Sequence, residues 1–272
     1  MAAEHAAGTA GAGRHAAVNG LRLYYEVHGT GQPLVLIPGG LMTIAQMGTV
    51  VPSLAQTRRV IALEPQAHGH TADVDRPLTY EQLADDTAAL MAHLDLGRAD
   101  VLGFSVGAGV ALQVTVRHPD RVRKLVVISG TFRGDGEYPE LRAFTAAFEP
   151  DLPMLAANRA AYIAAAGDAG GWASLVAKMR QLLREEYDWS EAVRGIQAPT
   201  LIAVGDADTL PPAHAVELFG LLGGGTAASA MGGPGRAQLA VLPGTTHFSI
   251  LQRPDLPSLL TGFLDAPAPG GG

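Results

Sequence analysis

Short apolar runs and longer amphipathic stretches alternate along the first half of the chain. Most of the runs predict strands, because continuous apolar segments of this length are typical of parallel strands buried on both faces of a sheet. The predicted strands cover residues 21–27, 33–37, 59–63, 99–104 and 124–129. The predicted helices cover residues 47–56, 78–94 and 107–117. The alternation therefore predicts an α/β fold with a mostly parallel, doubly wound sheet between layers of helices.

The alternation stops after Thr131 and does not resume until Pro199. The intervening residues show only helical patterns, which predicts a small helical cap inserted into the sheet domain. Strands are predicted again at 199–204 and 238–242, and helices at 212–222 and 254–264. We therefore expect a core of residues 18–130 and 199–265, a helical cap of residues 131–198, a disordered Ala/Gly-rich tail at 1–17, a flexible tail at 266–272 and a flexible surface loop at 223–235.

Composition and charge exclude several classes of function. The net charge of −7, without a basic run, argues against a nucleic-acid partner. Cysteine is absent, so the chain has neither disulfides nor a cysteine-based metal site, and a reducing, cytoplasmic location is expected. No apolar run approaches the ~20 residues that a membrane-spanning helix needs. The oligomeric state stays open.

The segment Gly103–Gly107 reads Gly-Phe-Ser-Val-Gly and joins the predicted strand 99–104 to the predicted helix 107–117. This Gly-x-Ser-x-Gly pattern is typical of a nucleophile elbow, a sharp turn that holds a serine hydroxyl clear of the sheet edge. The glycines let strand and helix pass close together, and the helix N-terminus directs free N–H groups towards developing negative charge. Ser105 is therefore the candidate nucleophile. The alternative is an ordinary tight turn with an inert serine.

A serine hydroxyl needs a base to become nucleophilic, and that base is a histidine oriented by a carboxylate. In a doubly wound sheet such residues collect at the carboxyl ends of strands. The predicted strand 199–204 is followed by Asp206 and Asp208, and the predicted strand 238–242 is followed by His247. The chain thus offers Ser105, an aspartate and His247 in that order.

These segments, together with residues 34–41, resemble the α/β-hydrolase fold superfamily, in particular its serine-nucleophile, esterase-like branch, over about residues 21–264. In similar hydrolases the acid stands in a Gly-x-x-Asp segment after the corresponding strand, and this implies Asp208 as the acid. Asp206 is the fallback, and the aspartate that is not the acid would be a turn or helix-cap carboxylate.

The resemblance also implies an oxyanion hole made of two backbone N–H groups, those of Val106 and Gly40. Family members often carry His-Gly-x before the second donor, whereas this chain has Pro38-Gly39-Gly40. The replacement of that histidine by Pro38 removes a hydrogen bond that would help to fix the loop.

His68 and His70 could be taken for a metal pair, but no third ligand has a suitable spacing, so we interpret their loop as structural. Glu64 ends a predicted strand, and the resemblance implies that an acidic residue at this position braces loops. We predict no cofactor and no metal.

The predicted function is hydrolysis of a small or medium carboxylic ester through an acyl-enzyme. Related dehalogenases and epoxide hydrolases have an aspartate at the elbow, so Ser105 argues against both activities. The alternatives are a ligand-binding or receptor-like protein on a hydrolase scaffold, a C–C bond hydrolase and a cofactor-free haloperoxidase-like enzyme.

Overall fold

The computed structural model describes residues 13–227, 231 and 235–267. Its strands are β1 Arg14–Val18, β2 Leu21–His28, β3 Gln32–Ile37, β4 Arg58–Glu64, β5 Ala99–Phe104, β6 Val122–Ile128, β7 Thr200–Ala207 and β8 Ala237–Thr246. Its helices are α1 Val50–Leu54, α2 Tyr80–His93, α3 Val106–Arg117, α4 Pro139–Thr145, α5 Ala156–Ala166, α6 Trp172–Arg184, α7 Ser190–Arg194, α8 Pro212–Leu221 and α9 Leu256–Asp265.

The eight strands form one sheet in the order β1-β2-β4-β3-β5-β6-β7-β8. Strands β3 to β8 run parallel, while β1 and β2 pair antiparallel with their neighbours at one edge. The predicted mostly parallel α/β sheet is therefore confirmed. The carboxyl ends of β5, β7 and β8 lie at the same edge of the sheet, where residues following these strands can meet.

Both faces of the sheet are buried, as the continuous apolar runs predicted. Along β3, Leu34 and Leu36 face the layer that contains α1 and α9, whereas Val35 and Ile37 face the layer that contains α2 and α3. Because successive side chains of a strand point to opposite faces, a strand covered on both sides must be apolar at every position.

The predicted tail at 1–17 is wrong for residues 14–17, which form most of β1. This strand pairs antiparallel with β2, from Arg14 opposite Tyr25 to Val18 opposite Leu21. The two strands are joined at Asn19-Gly20, both with positive φ, as a tight hairpin requires. Burial of Ala16 and Val18 against the core stabilises the strand, although its Ala/Gly-rich surroundings resemble a linker. Residues 1–12, 268–272, and, within the predicted loop 223–235, residues 228–230 and 232–234 lie outside the described residues.

The predicted helix at 47–56 is in fact two shorter elements. A 3₁₀ turn covers Ile44–Met47, and α1 begins only at Val50. Gly48 separates them with a positive φ of 58°, which a continuous helix does not allow.

Four helices, α4 to α7, lie between β6 and β7, in the segment predicted to be a cap. Lys178 of α6 connects this segment to the loop after β4. Its Nζ donates to Asp73 Oδ1 at 2.7 Å and to the carbonyl oxygens of Val74 and Arg76 at 2.8 Å. Ser174, one turn earlier, donates to the second oxygen of Asp73 at 3.0 Å. These contacts hold α6 over the edge of the sheet.

No helix in the described part of the chain combines the length and apolarity that crossing a bilayer would require.

Candidate active site

Ser105 stands at the sharp turn between β5 and α3, with φ 55° and ψ −123°. A non-glycine residue in this region of backbone space is strained, and such strain is typical of a nucleophile elbow. A Cβ atom on Gly103 would lie 2.0 Å from the carbonyl oxygen of Gly107, and one on Gly107 would lie 2.3 Å from that of Ile37. Both flanking glycines are therefore required by the close passage of strand and helix.

His247 follows β8 and lies between Ser105 and Asp208. Its Nε2 is 3.0 Å from Ser105 Oγ, and its Nδ1 is 2.7 Å from Asp208 Oδ1. The ring packs 5.0 Å from that of Phe104, centroid to centroid. These distances allow Nδ1–H to donate to the carboxylate while Nε2 accepts the hydroxyl proton of Ser105.

The Asp208 carboxylate is buried and fully engaged. One oxygen accepts from Ser129 Oγ at 2.6 Å and from the Gly205 N–H at 3.2 Å, and the other accepts from the Thr209 N–H at 2.8 Å. Burial alone would raise the pKa of Asp208, but the hydrogen bond and charge of His247 and the Ser129 hydrogen bond outweigh it and hold the pKa below its usual value. Asp208 is thus maintained as an anion.

Asp206 lies elsewhere. It is exposed, and its Oδ1 accepts from the backbone N–H of Thr245 at 3.1 Å. Hydrogen bonds from the Gly244 and Thr245 backbone lower its pKa. The structure therefore joins Ser105, His247 and Asp208, and gives Asp206 the role of bracing the loop that leads to His247.

Gly40 and Val106 lie side by side and line the same cavity as Ser105. A Cβ atom on Gly40 would be 3.1 Å from Val106 Cγ2 and 2.6 Å from Met179 Cε. The two residues predicted to supply the oxyanion donors therefore lie together in the cavity that contains the serine, and Met179 of α6 packs against Gly40.

The loop after Gly40 is held from two directions. Leu41 adopts a positive φ of 62°. Its N–H donates to His68 Nε2 at 3.1 Å, and its carbonyl accepts from Asn158 Nδ2 of α5 at 3.1 Å. The core and the cap therefore both fix the Leu41 peptide groups, next to the Gly40 donor.

His68 has one defined tautomer. Its Nδ1 faces the carbonyl oxygen of Gln66 at 2.9 Å and must donate to it, which leaves Nε2 as the acceptor for the Leu41 N–H. Burial lowers the pKa of His68 to about 4, so that the ring is neutral near pH 7. The structural interpretation of this loop agrees with these contacts, and His68 supplies a hydrogen bond to the loop that follows Pro38.

Glu64 also acts within loops. Its carboxylate accepts from the Ile44 N–H at 3.0 Å, the His70 N–H at 2.7 Å and His70 Nδ1 at 2.9 Å. His70 and His68 therefore have separate hydrogen-bonding partners.

A cavity of about 440 Å³ lies over Ser105, between the sheet edge and the cap. Its wall is largely apolar and includes Phe148, Leu155, Met179, Leu183 and Phe248. Asn158, Glu137 and Arg142 also line it. No local pattern in the sequence indicated these three, because only the packing of the cap brings them to the cavity. The volume suits a small or medium molecule.

The model of the alpha/beta hydrolase fold family matches residues 32–209, more than half of the chain. Among curated proteins, the chain is 34% identical over 120 residues to 2-hydroxymuconate semialdehyde hydrolase from Pseudomonas sp. strain CF600, covering 43% of this chain and 42% of that protein. It is 33% identical over 118 residues to a putative carbamate hydrolase, RutD, from Caulobacter vibrioides, covering 42% of this chain and 44% of that protein. The matches thus span less than half the length of these relatives.

Similar solved structures extend over nearly the whole chain. The enol-lactonase from Burkholderia xenovorans LB400 has a TM-score of 0.73 and 25% identity, covering 93% of this chain and 100% of that one. A meta-cleavage product hydrolase from Pseudomonas fluorescens IP01 has a TM-score of 0.71 and 22% identity, covering 93% and 97%. At 22% identity, the likeness to the meta-cleavage product hydrolase shows a shared fold.

Proposed function

The chain belongs to the alpha/beta hydrolase fold family, and we propose that it hydrolyses a small or medium carboxylic ester through an acyl-enzyme on Ser105. The observation that carries the proposal is the unbroken chain of contacts from Ser105 Oγ to His247 Nε2 at 3.0 Å and from His247 Nδ1 to Asp208 Oδ1 at 2.7 Å. This is the arrangement that activates a serine hydroxyl.

In the proposed acylation step, Ser105 Oγ attacks the ester carbonyl carbon while His247 Nε2 takes the hydroxyl proton. The carbonyl oxygen becomes an oxyanion, which accepts from the N–H groups of Gly40 and Val106. Removal of one such donor typically reduces kcat by about 10²–10³-fold. The tetrahedral intermediate collapses as the C–O bond to the alcohol breaks and His247 returns the proton to the leaving oxygen.

Deacylation repeats these roles with water. His247 takes a proton from the water that attacks the acyl carbon, and then returns it to Ser105 Oγ as the carboxylic acid leaves. Asp208 keeps the ring in the tautomer with Nδ1 protonated and stabilises the imidazolium that forms twice in each cycle.

The largely apolar wall of the cavity supports an ester whose acyl or alcohol part is hydrophobic. The likeness to an enol-lactonase supports attack on a carboxylic ester carbonyl. The second candidate is C–C bond hydrolysis, favoured by the identity with 2-hydroxymuconate semialdehyde hydrolase. Rates on p-nitrophenyl butyrate and on 2-hydroxymuconate semialdehyde, measured with the same protein, decide between them.

The test of the nucleophile combines a fluorophosphonate probe with turnover of p-nitrophenyl acetate. We expect stoichiometric labelling of Ser105, and loss of both labelling and turnover in Ser105→Ala. Ser258→Ala, at an exposed position of α9, is the matched control and should retain both. Circular dichroism and thermal melting establish that each variant is folded.

Turnover retained by folded Ser105→Ala would refute the assignment of the nucleophile. Absence of labelling in the folded wild-type protein would instead favour the ligand-binding alternative.

A further inference from the structure

Glu137 lies in the segment between β6 and α4, where the chain enters the cap, and it lines the cavity that also contains Ser105 and His247. The residue is partly buried. Among the described residues that line this cavity it is the acidic one. The proposed ester hydrolysis gives it no role.

The charged neighbours of Glu137 have partners of their own. Arg142, which lines the same cavity, donates from Nη2 to Glu186 Oε1 at 2.7 Å. The carboxylate of Asp208 pairs with Nδ1 of His247. Within the described part of the chain, neither a hydrogen bond nor an ion pair joins the Glu137 carboxylate to another residue. Glu137 therefore faces the cavity without a partner for its charge.

The Glu137 carboxyl group lies close enough to His247 and Asp208 for their charges to affect its pKa. Burial raises the pKa of Glu137, the charges of His247 and Arg142 act to lower it, and the charge of Asp208 acts to raise it. A partly buried carboxylate that accepts no hydrogen bond is less favourable than a paired one, because part of the water it lost is not replaced. A ligand that brings a protonated amine into the cavity supplies both a hydrogen-bond donor and a compensating charge.

We infer that the cavity takes a substrate with a positively charged amino group, and that Glu137 pairs with this group while the ester carbonyl lies at Ser105. The inference rests on the proposed function in that it treats this cavity as the substrate site. The apolar wall of Phe148, Leu155 and Leu183 contacts the carbon chain between the two ends. Hence Glu137 determines specificity and takes no part in the proton transfers.

The first experiment measures binding without turnover. Hexylammonium and 1-hexanol share the same carbon chain and differ in charge, and their affinities are measured by calorimetry at about pH 7.5, where an alkylamine is protonated. We expect the wild-type protein to bind hexylammonium at least about tenfold more tightly than 1-hexanol, as charge-assisted hydrogen bonds predict. Glu137→Gln, which keeps the shape and removes the charge, should abolish the difference.

Two further variants control this result. Glu140→Gln removes the same charge from an exposed position three residues later, outside the cavity lining, and should keep the wild-type preference. Glu137→Asp keeps the charge and should retain part of the preference. Equal affinities in the wild-type protein, or an unchanged preference in folded Glu137→Gln, would overturn the inference.

The second experiment measures kcat/KM on two matched ester pairs, because the amino group could stand in either half of the substrate. The acyl pair is p-nitrophenyl 6-aminohexanoate and p-nitrophenyl heptanoate. The thioester pair, with the charge in the leaving group, is S-(5-aminopentyl) thioacetate and S-hexyl thioacetate. We expect the charged member of at least one pair to be preferred by about tenfold or more, Glu137→Gln to reduce the ratio of the two kcat/KM values to about one, and Glu140→Gln, outside the cavity lining, to keep the wild-type ratio.

The two ways of failing are distinct. If no ester is hydrolysed by the wild-type protein, the proposed function fails, and hexylammonium binding still tests Glu137. If both members of each pair are hydrolysed equally well, ester hydrolysis stands and the role of Glu137 is refuted.

Discussion

The backbone N–H of Leu41 donates a hydrogen bond of 3.1 Å to Nε2 of His68, which lies 27 residues later in the chain. Leu41 has a positive φ, a conformation that disfavours a non-glycine residue by roughly 1–2 kcal/mol. The contact with His68 offsets this strain and fixes the loop immediately after Gly40. The geometry of the proposed oxyanion hole thus depends on a histidine that does not line the cavity.

His68→Met should reduce kcat on p-nitrophenyl butyrate by about tenfold with KM little changed, because one misplaced oxyanion donor weakens the transition state more than the bound substrate. His68→Gln offers an acceptor at a similar reach and should retain most of the activity. Steady-state kinetics with both variants provide the measurement. Equal losses in the two variants would show that burial of the side chain, and not its acceptor, matters.

Asn158→Leu removes the hydrogen bond from the cap to the Leu41 carbonyl. It should lower kcat to about a fifth of the wild-type value, with a smaller change in KM. Arg159→Gln is the control, since its side chain is about half exposed and pairs with Asp151 at 3.7 Å. If Asn158→Leu and Arg159→Gln behave alike in stopped-flow burst and steady-state assays, the cap does not influence the oxyanion loop.

Asp208→Asn should lower kcat by about 10³–10⁴-fold, because the amide no longer selects the tautomer of His247 that accepts the serine proton. Asp206→Asn should stay within about threefold of wild type, since its carboxylate contacts the Thr245 N–H and not the imidazole. Rates on p-nitrophenyl acetate, with folding checked by circular dichroism, compare the two. A larger loss for Asp206→Asn would reverse the assignment of the acid.

The stability of the protein should fall in mild acid through His214. Its Nε2 accepts from the Phe132 N–H at 3.2 Å, and burial, aided by the charge of Arg133, lowers the pKa of His214 to about 4. In the unfolded chain the pKa is about 6.5. The stabilisation from neutral His214 is therefore complete above pH 6.5 and is lost as the pH falls towards 4.

His214→Gln keeps an acceptor and does not titrate. The free energy of unfolding of wild type, relative to this variant, should fall by about 2 kcal/mol between pH 6.5 and pH 4.5. Urea unfolding at several pH values measures this difference. Asp100 and Glu137, whose pKa values are raised by burial, act in the opposite direction but equally in both proteins. A difference that does not vary with pH would contradict the prediction.

Strands that are apolar on both faces could be recognised from the sequence, because burial on two sides requires an apolar residue at every position. β1 was missed since it has one buried face, its run is short, and the Ala/Gly-rich segment before it masks it; the Asn19-Gly20 turn was the signal that could have revealed it. The choice between the two aspartates could not be made from local pattern alone. The register of β7 shifts between Gly205 and Ala207, and the two aspartate side chains have different partners: Asp208 contacts His247, and Asp206 contacts the Thr245 N–H.

The sequence by itself determined the order of strands β2 to β8 and the elbow around Ser105, because these follow from periodicity and from glycines a few residues apart. Tertiary structure alone decided that Leu41 meets His68 and Asn158, and that Glu137 faces the cavity. Those contacts join residues far apart in the chain, and their geometry depends on how the cap packs over the sheet. No local pattern of apolar and polar positions encodes such packing.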